Sequence, residues 1–491
     1  MSHPLHDASA PVLTAFSLFA GISLAACSVG PNYVRPAAPT SAQFKEAKGW
    51  KFATPRDTLD GGPWWSVYKD PELAGLLSQV EISNQTVMAA MAAYQQARAI
   101  IREAQAGYFP TITTSYSATG AHQGGGSSGV STTSLTYNPV ANATWEIDVW
   151  GRIRRTVESD ASAAQVSAAD LANAKLAEQA ALATAYFNLR AEDSLKTLLD
   201  RDVVAYKKSL EITRSQFKAG YSATAGDVAA AQALVDTTEG AAIAVGVLRA
   251  QYEHAIAVLI GKPPAELTIP PAALARKIPN IPVTIPSVLL ERRPDIAAAE
   301  RALQSQNALI GVAVANFYPT ISLSGMFGYA GGTPLPISAA TEAWSLAGSA
   351  TQPVFEGGLL SAELAAARAT YQQYVADYRQ TVLTAFQQVE DELAAVRITA
   401  KELVPQEAAV KNAGVAVQVY LNQYQAGTVA FTTVITAEET QLSDEVTALQ
   451  TRQSLFVASV ALIEALGGGW DSSLLPSLEN LSAVPTIPPP L

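Results

Sequence analysis

The chain has one cysteine, four histidines and only 15% charged residues among its 491. A single thiol makes no intramolecular disulfide and no multi-cysteine zinc or iron–sulfur site. His3 and His6 stand at the extreme N-terminus, and His122 and His254 are far apart in sequence, so no histidine-built metal centre is expected. Basic residues are outnumbered, 32 Lys+Arg against 43 Asp+Glu, for a formal charge of −11. Without a broad basic field, nucleic acid is a poor candidate partner. After residue 30 no apolar run reaches the roughly 18 residues that a spanning helix needs. Nor is there a nucleophile–base motif, a phosphate loop or a metal-ligand spacing, so the chain does not read as an enzyme.

What is present begins with an address. Val12 to Ala20 are mostly apolar and lead into Leu24-Ala25-Ala26-Cys27. An apolar segment ending in small residues reads as a secretory signal, here residues 1–26. Leu-Ala-Ala-Cys resembles the bacterial lipobox, in which the cysteine sulfur acquires a diacylglycerol and the new N-terminus an acyl chain. Each buried CH₂ contributes about 0.8 kcal/mol, so several chains anchor stably where one does not. The unusual feature is an n-region, residues 2–11, without Lys or Arg. Cys27 is therefore the expected lipidation site and 27–71 an acylated, extended N-terminal segment. No other cofactor is expected.

The rest reads as a duplication with an offset near 207 residues. Tyr108-Phe109-Pro110-Thr111-Ile112 matches Phe317-Tyr318-Pro319-Thr320-Ile321, and Gln216-Phe217-Lys218-Ala219-Gly220 matches Gln423-Tyr424-Gln425-Ala426-Gly427. Trp150-Gly151-Arg152 stands where Glu356-Gly357-Gly358 does. Each half reads as helix, strand, strand, very long helix, tight turn and return helix. Repeat 1 covers 72–261, with strands at about 111–119 and 134–149, a long helix over 153–219 and a return helix over 222–260. A Pro-rich connection, 262–293, leads to repeat 2 over 294–468, with strands at about 320–329 and 343–354, a long helix over 359–425 and a return helix over 430–466. Residues 469–491 form a tail.

From Ile153 to Ala219 there is no Pro or Gly, which allows a helix of about 67 residues and about 100 Å. Ordinary helices average roughly 11–12 residues, so this is a coiled-coil-like rod. In the second copy Pro405 is expected to bend or interrupt the rod. The return helices carry seven-residue repeats: Val228, Val235, Ala242, Arg249 and Ile256 in one, Ile435, Leu442, Leu449, Phe456 and Ile463 in the other.

The strands alternate with period two. Ile321, Leu323, Phe327 and Tyr329 are separated by small or polar residues, as are Leu135, Tyr137, Ala141, Ala143, Trp145 and Ile147, Ile112 and Tyr116, and Trp344, Leu346 and Ala350. Gly120–Thr133 and Gly331–Glu342 read as the loops that join each pair. With rods rather than further strands as neighbours, lipid is the expected contact of the apolar face, with Tyr116, Trp145 and Trp150 at interfacial depth. Four strands cannot close a barrel, and open edges cannot sit in lipid. Three copies would supply twelve strands and a wet lumen, although sequence does not count subunits.

Cys27-Ser28-Val29-Gly30-Pro31-Asn32-Tyr33, Leu289-Leu290-Glu291-Arg292-Arg293-Pro294-Asp295-Ile296, Phe317-Tyr318-Pro319 and Ala465-Leu466-Gly467-Gly468-Gly469-Trp470 together resemble the outer membrane factor family, TolC-like, and within it the NodT-type lipoprotein branch. The resemblance covers nearly the whole mature chain. It implies an α+β channel-tunnel: a homotrimer with a twelve-stranded outer-membrane barrel, a long-helix periplasmic α-barrel and an equatorial belt that would hold the Pro-rich stretches Pro263–Pro294 and Pro485–Pro490. The implied role is the exit duct of a tripartite efflux system for drugs and other small molecules, coupled through a periplasmic adaptor protein to an inner-membrane pump. The same fold also serves type I protein secretion, which is the alternative. The resemblance further implies that the tips at Gly220, Tyr221, Gly427 and Thr428 meet the adaptor. Relatives ring the closed periplasmic end with acidic residues. The matching positions here, Thr433 and Thr436, are not acidic, leaving Asp227, Glu438 or Glu439 as possible gate residues.

Overall fold

The computed structural model describes residues 28–39, 41, 43–46, 63–125, 129, 131–220, 223–279, 281 and 290–483. The signal segment, Cys27, Tyr221 and the Pro-rich stretch 485–490 lie outside the described residues. After a 3₁₀ turn at Trp64–Tyr68 come helices α1 (Pro71–Ser83) and α2 (Gln85–Ala106), strands β1 (Thr111–Gln123) and β2 (Thr132–Ile147), the rod α3 (Arg152–Lys218) and its return α4 (Ala225–Leu259). The second half has α5 (Pro294–Ala315), β3 (Thr320–Tyr329), β4 (Glu342–Thr351), the rod α6 (Leu359–Gln425), its return α7 (Phe431–Ala465) and a short α8 (Leu478–Ser482).

The element order of the first half recurs in the second. Both rods have 67 residues and both returns 35. Local geometry recurs as well: Phe109 N–H bonds the Ala106 carbonyl at 3.1 Å, and Tyr318 N–H the Ala315 carbonyl at 3.0 Å, just before β1 and β3. Gly151 is the N-cap of α3 and Gly358 that of α6, both left-handed, with φ 81° and 93°. This pairs Gly151 with Gly358, one residue on from the Gly357 that sequence alignment selects.

Four expectations need correction. The rod α6 runs unbroken through Pro405. Proline removes one backbone bond, but residue 405 is exposed and so is Lys401, whose freed carbonyl water can reach. The first hairpin is longer than expected, because the Gly/Ser segment read as loop is laddered, with Gly120 opposite Leu135 and His122 opposite Thr133. β2 ends at Ile147, two residues early, because Asp148 caps α3, accepting from Ile153 N–H at 2.9 Å and Arg154 N–H at 3.0 Å. β4 likewise stops at Thr351, just before Gln352-Pro353, since proline has no N–H to give the ladder.

The four strands form one antiparallel sheet, ordered β1-β2-β3-β4, with β1 and β4 at the edges. The core lies below it, where α1, Trp64, Trp65 and the middle of α3 pack on α5, α6 and α7. Here Leu182, Leu189 and Tyr378 are fully buried. The mid-rod level is belted by residues 269–274: Arg190 donates to the Pro270 carbonyl at 2.6 Å, Arg249 to the Ile269 carbonyl at 2.6 Å, and Ala272 N–H reaches Asp193 at 3.0 Å. Arg293 of the Arg-Arg-Pro-Asp run is buried and joins Asp295, Gln388 and the Ala465 carbonyl at the end of α7. That motif therefore locks the start of the second half to its end.

The N-terminal segment descends alongside the rods. Val29 N–H bonds the Trp150 carbonyl at 3.0 Å, Arg35 meets Tyr378 and Glu300, and the Lys45 and Glu46 amides bond Glu390. Gly30 crosses so close to α5 that a Cβ there would lie 2.5 Å from Gly311 Cα. The tail takes the opposite course. Leu478 and Leu481 pack with Ile101 and Ile153, at the strand-proximal end of α2 and α3, rather than at the belt.

Candidate functional site

The sheet and the two rod tips are the places where function can reside. The strand register puts Ile112 beside Ala143, Gly325 and Leu346, and places Trp145 beside Leu323. Tyr116, Tyr137, Phe327, Tyr329 and Trp344 fall on that same face by the same alternation. The opposite face carries Thr113, Ser115, Asn142, Thr144, Ser322, Ser324, Ser345 and Ser349, and Ser322 bonds Ser349 at 2.8 Å. One face is apolar and aromatic, the other hydroxyl-rich. At the helix-side border Trp145 donates to the Tyr108 carbonyl at 3.0 Å, while Trp150 donates to the Pro319 carbonyl at 2.8 Å and stacks on Tyr318. Amphipathic rings in a girdle suit the edge of a hydrocarbon layer.

At the other end each rod reverses through a glycine. Gly220 has φ 69° and Gly427 φ 72°, a region that side chains with a Cβ avoid. At the second tip Thr428 N–H bonds the Gln423 carbonyl at 2.9 Å and Gly427 N–H the Tyr424 carbonyl at 2.9 Å, so the last carbonyls of α6 are satisfied. Thr428 Oγ1 adds a bond to the same Gln423 carbonyl. The two tips lie side by side. Tyr206 and Leu210 of α3, Ala231 and Val235 of α4, Tyr424 of α6, and Phe431 and Val434 of α7 form one buried cluster. Gln216 reaches across to the Tyr424 carbonyl at 3.3 Å.

Above that cluster runs a polar seam between α3 and α7. Ser209 donates to Glu438 Oε1 at 2.6 Å, and Tyr206 donates to the Glu438 carbonyl at 3.1 Å. Arg201 joins Asp202 and Glu445. Burial, and to a smaller degree the neighbouring Asp202, push the Glu438 carboxyl up to about 7 despite the Ser209 hydrogen bond. Burial likewise raises Asp202.

Comparison with known proteins identifies the setting. The family described as "Outer membrane efflux protein" matches residues 76–262 and 285–468, well over half of the chain. The chain belongs to that family. It is 30% identical to outer membrane protein OprJ of Pseudomonas aeruginosa, over 94% of this chain and 97% of OprJ. It is 29% identical to the toluene efflux pump outer membrane protein TtgC of Pseudomonas putida, over 91% and 93% of the two chains. Its fold superposes on the outer-membrane channel OprN with a TM-score of 0.83 and 30% identity, over 90% of this chain and 100% of OprN. This outer membrane efflux protein is accordingly an outer-membrane channel, a passive duct and not an enzyme.

The structure sorts the candidate gate residues. Glu438 is 4% exposed and engaged by Ser209, so it faces the neighbouring rod and is not free to ring a lumen. Sequence could not show this, because its partner lies 229 residues away. Asp227 is half-buried and serves the start of α4 in a capping box with Thr224: Thr224 N–H bonds Asp227 at 2.7 Å and Asp227 N–H bonds Thr224 Oγ1 at 3.1 Å. Thr433 and Thr436 line a groove between α6 and α7 with Ala416, Tyr420 and Thr432. Glu439 is exposed. Tyr206, Ser209, Tyr424 and Phe431 are the functional-end residues that sequence reasoning passed over. Of these only Tyr424 carries a local signal, the aromatic three residues before each tip glycine.

The return helices α4 and α7 are long and apolar enough to cross a membrane by length and mean hydropathy, 1.2 in each. Both are committed to coiled-coil seams. Ala231, Val235, Ala242 and Val245 are buried in the α4 seam, and Leu449, Phe456, Val460 and Ile463 in that of α7.

Proposed function

We propose that this chain is one protomer of a homotrimeric channel-tunnel serving as the exit duct of a tripartite small-molecule efflux system. The observation that carries this reading is a two-faced sheet of four strands whose edges, β1 and β4, have no partner among the described residues of the protomer. Unpaired N–H and C=O groups cannot face hydrocarbon, so copies of the chain must supply the missing ladders. Three copies give twelve strands with hydroxyl-rich walls inside. The helices support the same assembly. Ile243, Val247 and Val258 on α4, and Leu383, Ile398 and Val404 on α6, are exposed apolar residues at rod positions that neighbours would cover. The matching element order supports an internal duplication, which gives each protomer two similar helix pairs for the tunnel wall.

The remaining assignments belong to this reading. Cys27 is the lipidation site; Ser28 packs against Gly151 at the strand-proximal end of α3, a level suited to an acyl anchor. Gly220, Tyr221, Gly427 and Thr428 form the tips offered to a periplasmic adaptor, which links the duct to an inner-membrane pump. TtgC is named a toluene efflux protein, which supports small-molecule cargo. Two measurements test the proposal: the mass and single-channel conductance of the purified protein in detergent, and dye retention in cells lacking it. A trimer with a steady pore, and cells that accumulate dye, are the expected results. A monomer without conductance would overturn the channel assembly, and unchanged dye with loss of a secreted protein would move the cargo to polypeptides.

A further inference from the structure

The two hairpin loops at the far end of the sheet differ in kind. β1 and β2 continue past Tyr116 to Gln123 and Thr132, so their ladder extends well above the apolar band, and the sequence 124–131 between them is dominated by Gly and Ser. β3 and β4 stop at Tyr329 and Glu342, the level of Tyr116 and Pro139. The Pro139 pairing follows because one step below it Val140 lies opposite Gly328. The β3–β4 connection, residues 330–341, therefore starts at the aromatic rim of the band.

This connection turns onto the apolar side of the sheet. Tyr116 donates its hydroxyl to the Pro334 carbonyl at 2.8 Å, and Ile337 lines one groove with Tyr116, Pro139, Phe327 and Tyr329. The fold-back is held from within, because Ala330 N–H bonds the Thr341 carbonyl at 2.8 Å and Thr341 Oγ1 bonds Ser338 and Pro336. The segment Ala330-Gly-Gly-Thr-Pro-Leu-Pro-Ile-Ser-Ala-Ala-Thr341 contains no charged residue. It nonetheless leaves Leu335 73% and Ile337 63% exposed. A loop destined for water has no reason to combine exposed aliphatics, two prolines and no charge on the outer wall of a sheet.

We infer that the β3–β4 loop is a lipid seat: Leu335 and Ile337 rest among the acyl chains of the extracellular leaflet, and the loop is not a lid over the pore mouth. The occupant is lipid because the loop continues the apolar face that already meets the membrane, at the height of its aromatic rim. The proposal rests on the outward apolar face of the barrel reading, and the experiment separates the two. An environment-sensitive fluorophore is placed on Ile337→Cys, on Leu346→Cys in mid-band and on Gln123→Cys above it, with the unsubstituted chain reporting any labelling of Cys27. Each protein is reconstituted in vesicles of phosphatidylethanolamine and phosphatidylglycerol with nitroxide-labelled acyl chains, and quenching by the nitroxide is compared with quenching by aqueous iodide. The Ile337 label is expected to be quenched by nitroxide as strongly as the Leu346 label, and the Gln123 label by iodide. Iodide quenching at Ile337 would overturn the lipid seat, and so would protection from both quenchers, which would mean that a neighbouring protomer covers the loop. Loss of nitroxide quenching at Leu346 itself would overturn the barrel reading as well.

Discussion

The two tips share a sequence motif and use it in opposite ways. In Gln216-Phe217-Lys218-Ala219-Gly220 the aromatic ring is 47% exposed, whereas in Gln423-Tyr424-Gln425-Ala426-Gly427 it is 1% exposed. Tyr424 is covered by Phe431, one turn beyond the glycine, with ring centroids 5.0 Å apart. Among the described residues the first tip shows no such plug, and its return helix starts with the Thr224–Asp227 capping box instead. The second return helix starts at Ala430 with no side-chain cap at all. One turn is thus fastened by apolar packing and the other by polar capping. The packed tip turns its aromatic into the protomer while Gly427 and Thr428 stay exposed, and the capped tip presents the Phe217 ring outward.

The largest break in that contrast comes from removing the plug. Phe431→Ala deletes a side chain 2% exposed and should cost about 3–5 kcal/mol locally. Phe217→Ala removes an exposed ring and should change stability by no more than about 0.5 kcal/mol. Thermal unfolding of the purified assembly, together with hydrogen exchange at both tips, checks the pair. Equal losses would mean that Phe217 is as buried in the assembly as Tyr424 is in the protomer.

The polar seam just above gives the next largest effect, and its sign follows from linkage. Folded protein holds a proton on Glu438 up to about pH 7, whereas an ordinary glutamate releases it near 4.5. Folding therefore takes up a proton in that window, and the seam loses stability as pH rises from about 4.5 to about 7, on the order of 3 kcal/mol in all. Asp202, Ser209 and Tyr206 face Glu438 from α3, and among the described residues no cation pairs with its carboxyl. Glu438→Gln keeps the acceptor for Ser209 and removes the ionisation. The variant should be the more stable of the two at pH 8.5, with the difference shrinking toward pH 5. Parallel pH profiles for variant and parent would show that Glu438 does not titrate in this range.

Much of this architecture was legible in the chain. A stretch of 67 residues free of Pro and Gly, closed by Gly220, defines a rod without help from tertiary contacts, and strict alternation assigns a face to each strand residue from Ile321 to Tyr329. What failed was of another kind. Gly120 to His122 looked like loop because glycine and polar residues punctuate sequence, yet the ladder to Thr133–Leu135 holds them extended. Pro405 looked like a break because local rules count the lost bond and not the solvent that replaces it. At the tips, Phe217 and Tyr424 occupy equivalent places, so nothing local separates them. Their environments are set by which helix arrives from the other half, and the burial of Glu438 against Ser209 has the same origin.

The smallest effect sharpens the comparison most. Thr224→Ala removes the acceptor for Asp227 N–H and half of the capping box, which should cost about 1 kcal/mol, confined to the first turn of α4. That turn is exposed at residues 224–226, so packing does not compensate. The first turn of α7 has no cap to lose, yet Phe431 and Val434 hold it by burial. Exchange of the amides at 225–228 should therefore accelerate several-fold in Thr224→Ala, about fivefold for that loss of free energy, while those at 432–435 stay unchanged. Replacing Ala430 by Ser supplies the missing cap and should slow 432–435 only slightly, because packing already limits opening there. If instead Ala430→Ser slows exchange at the second tip as much as Thr224→Ala speeds it at the first, then capping governs both turns and the plug at Phe431 is incidental.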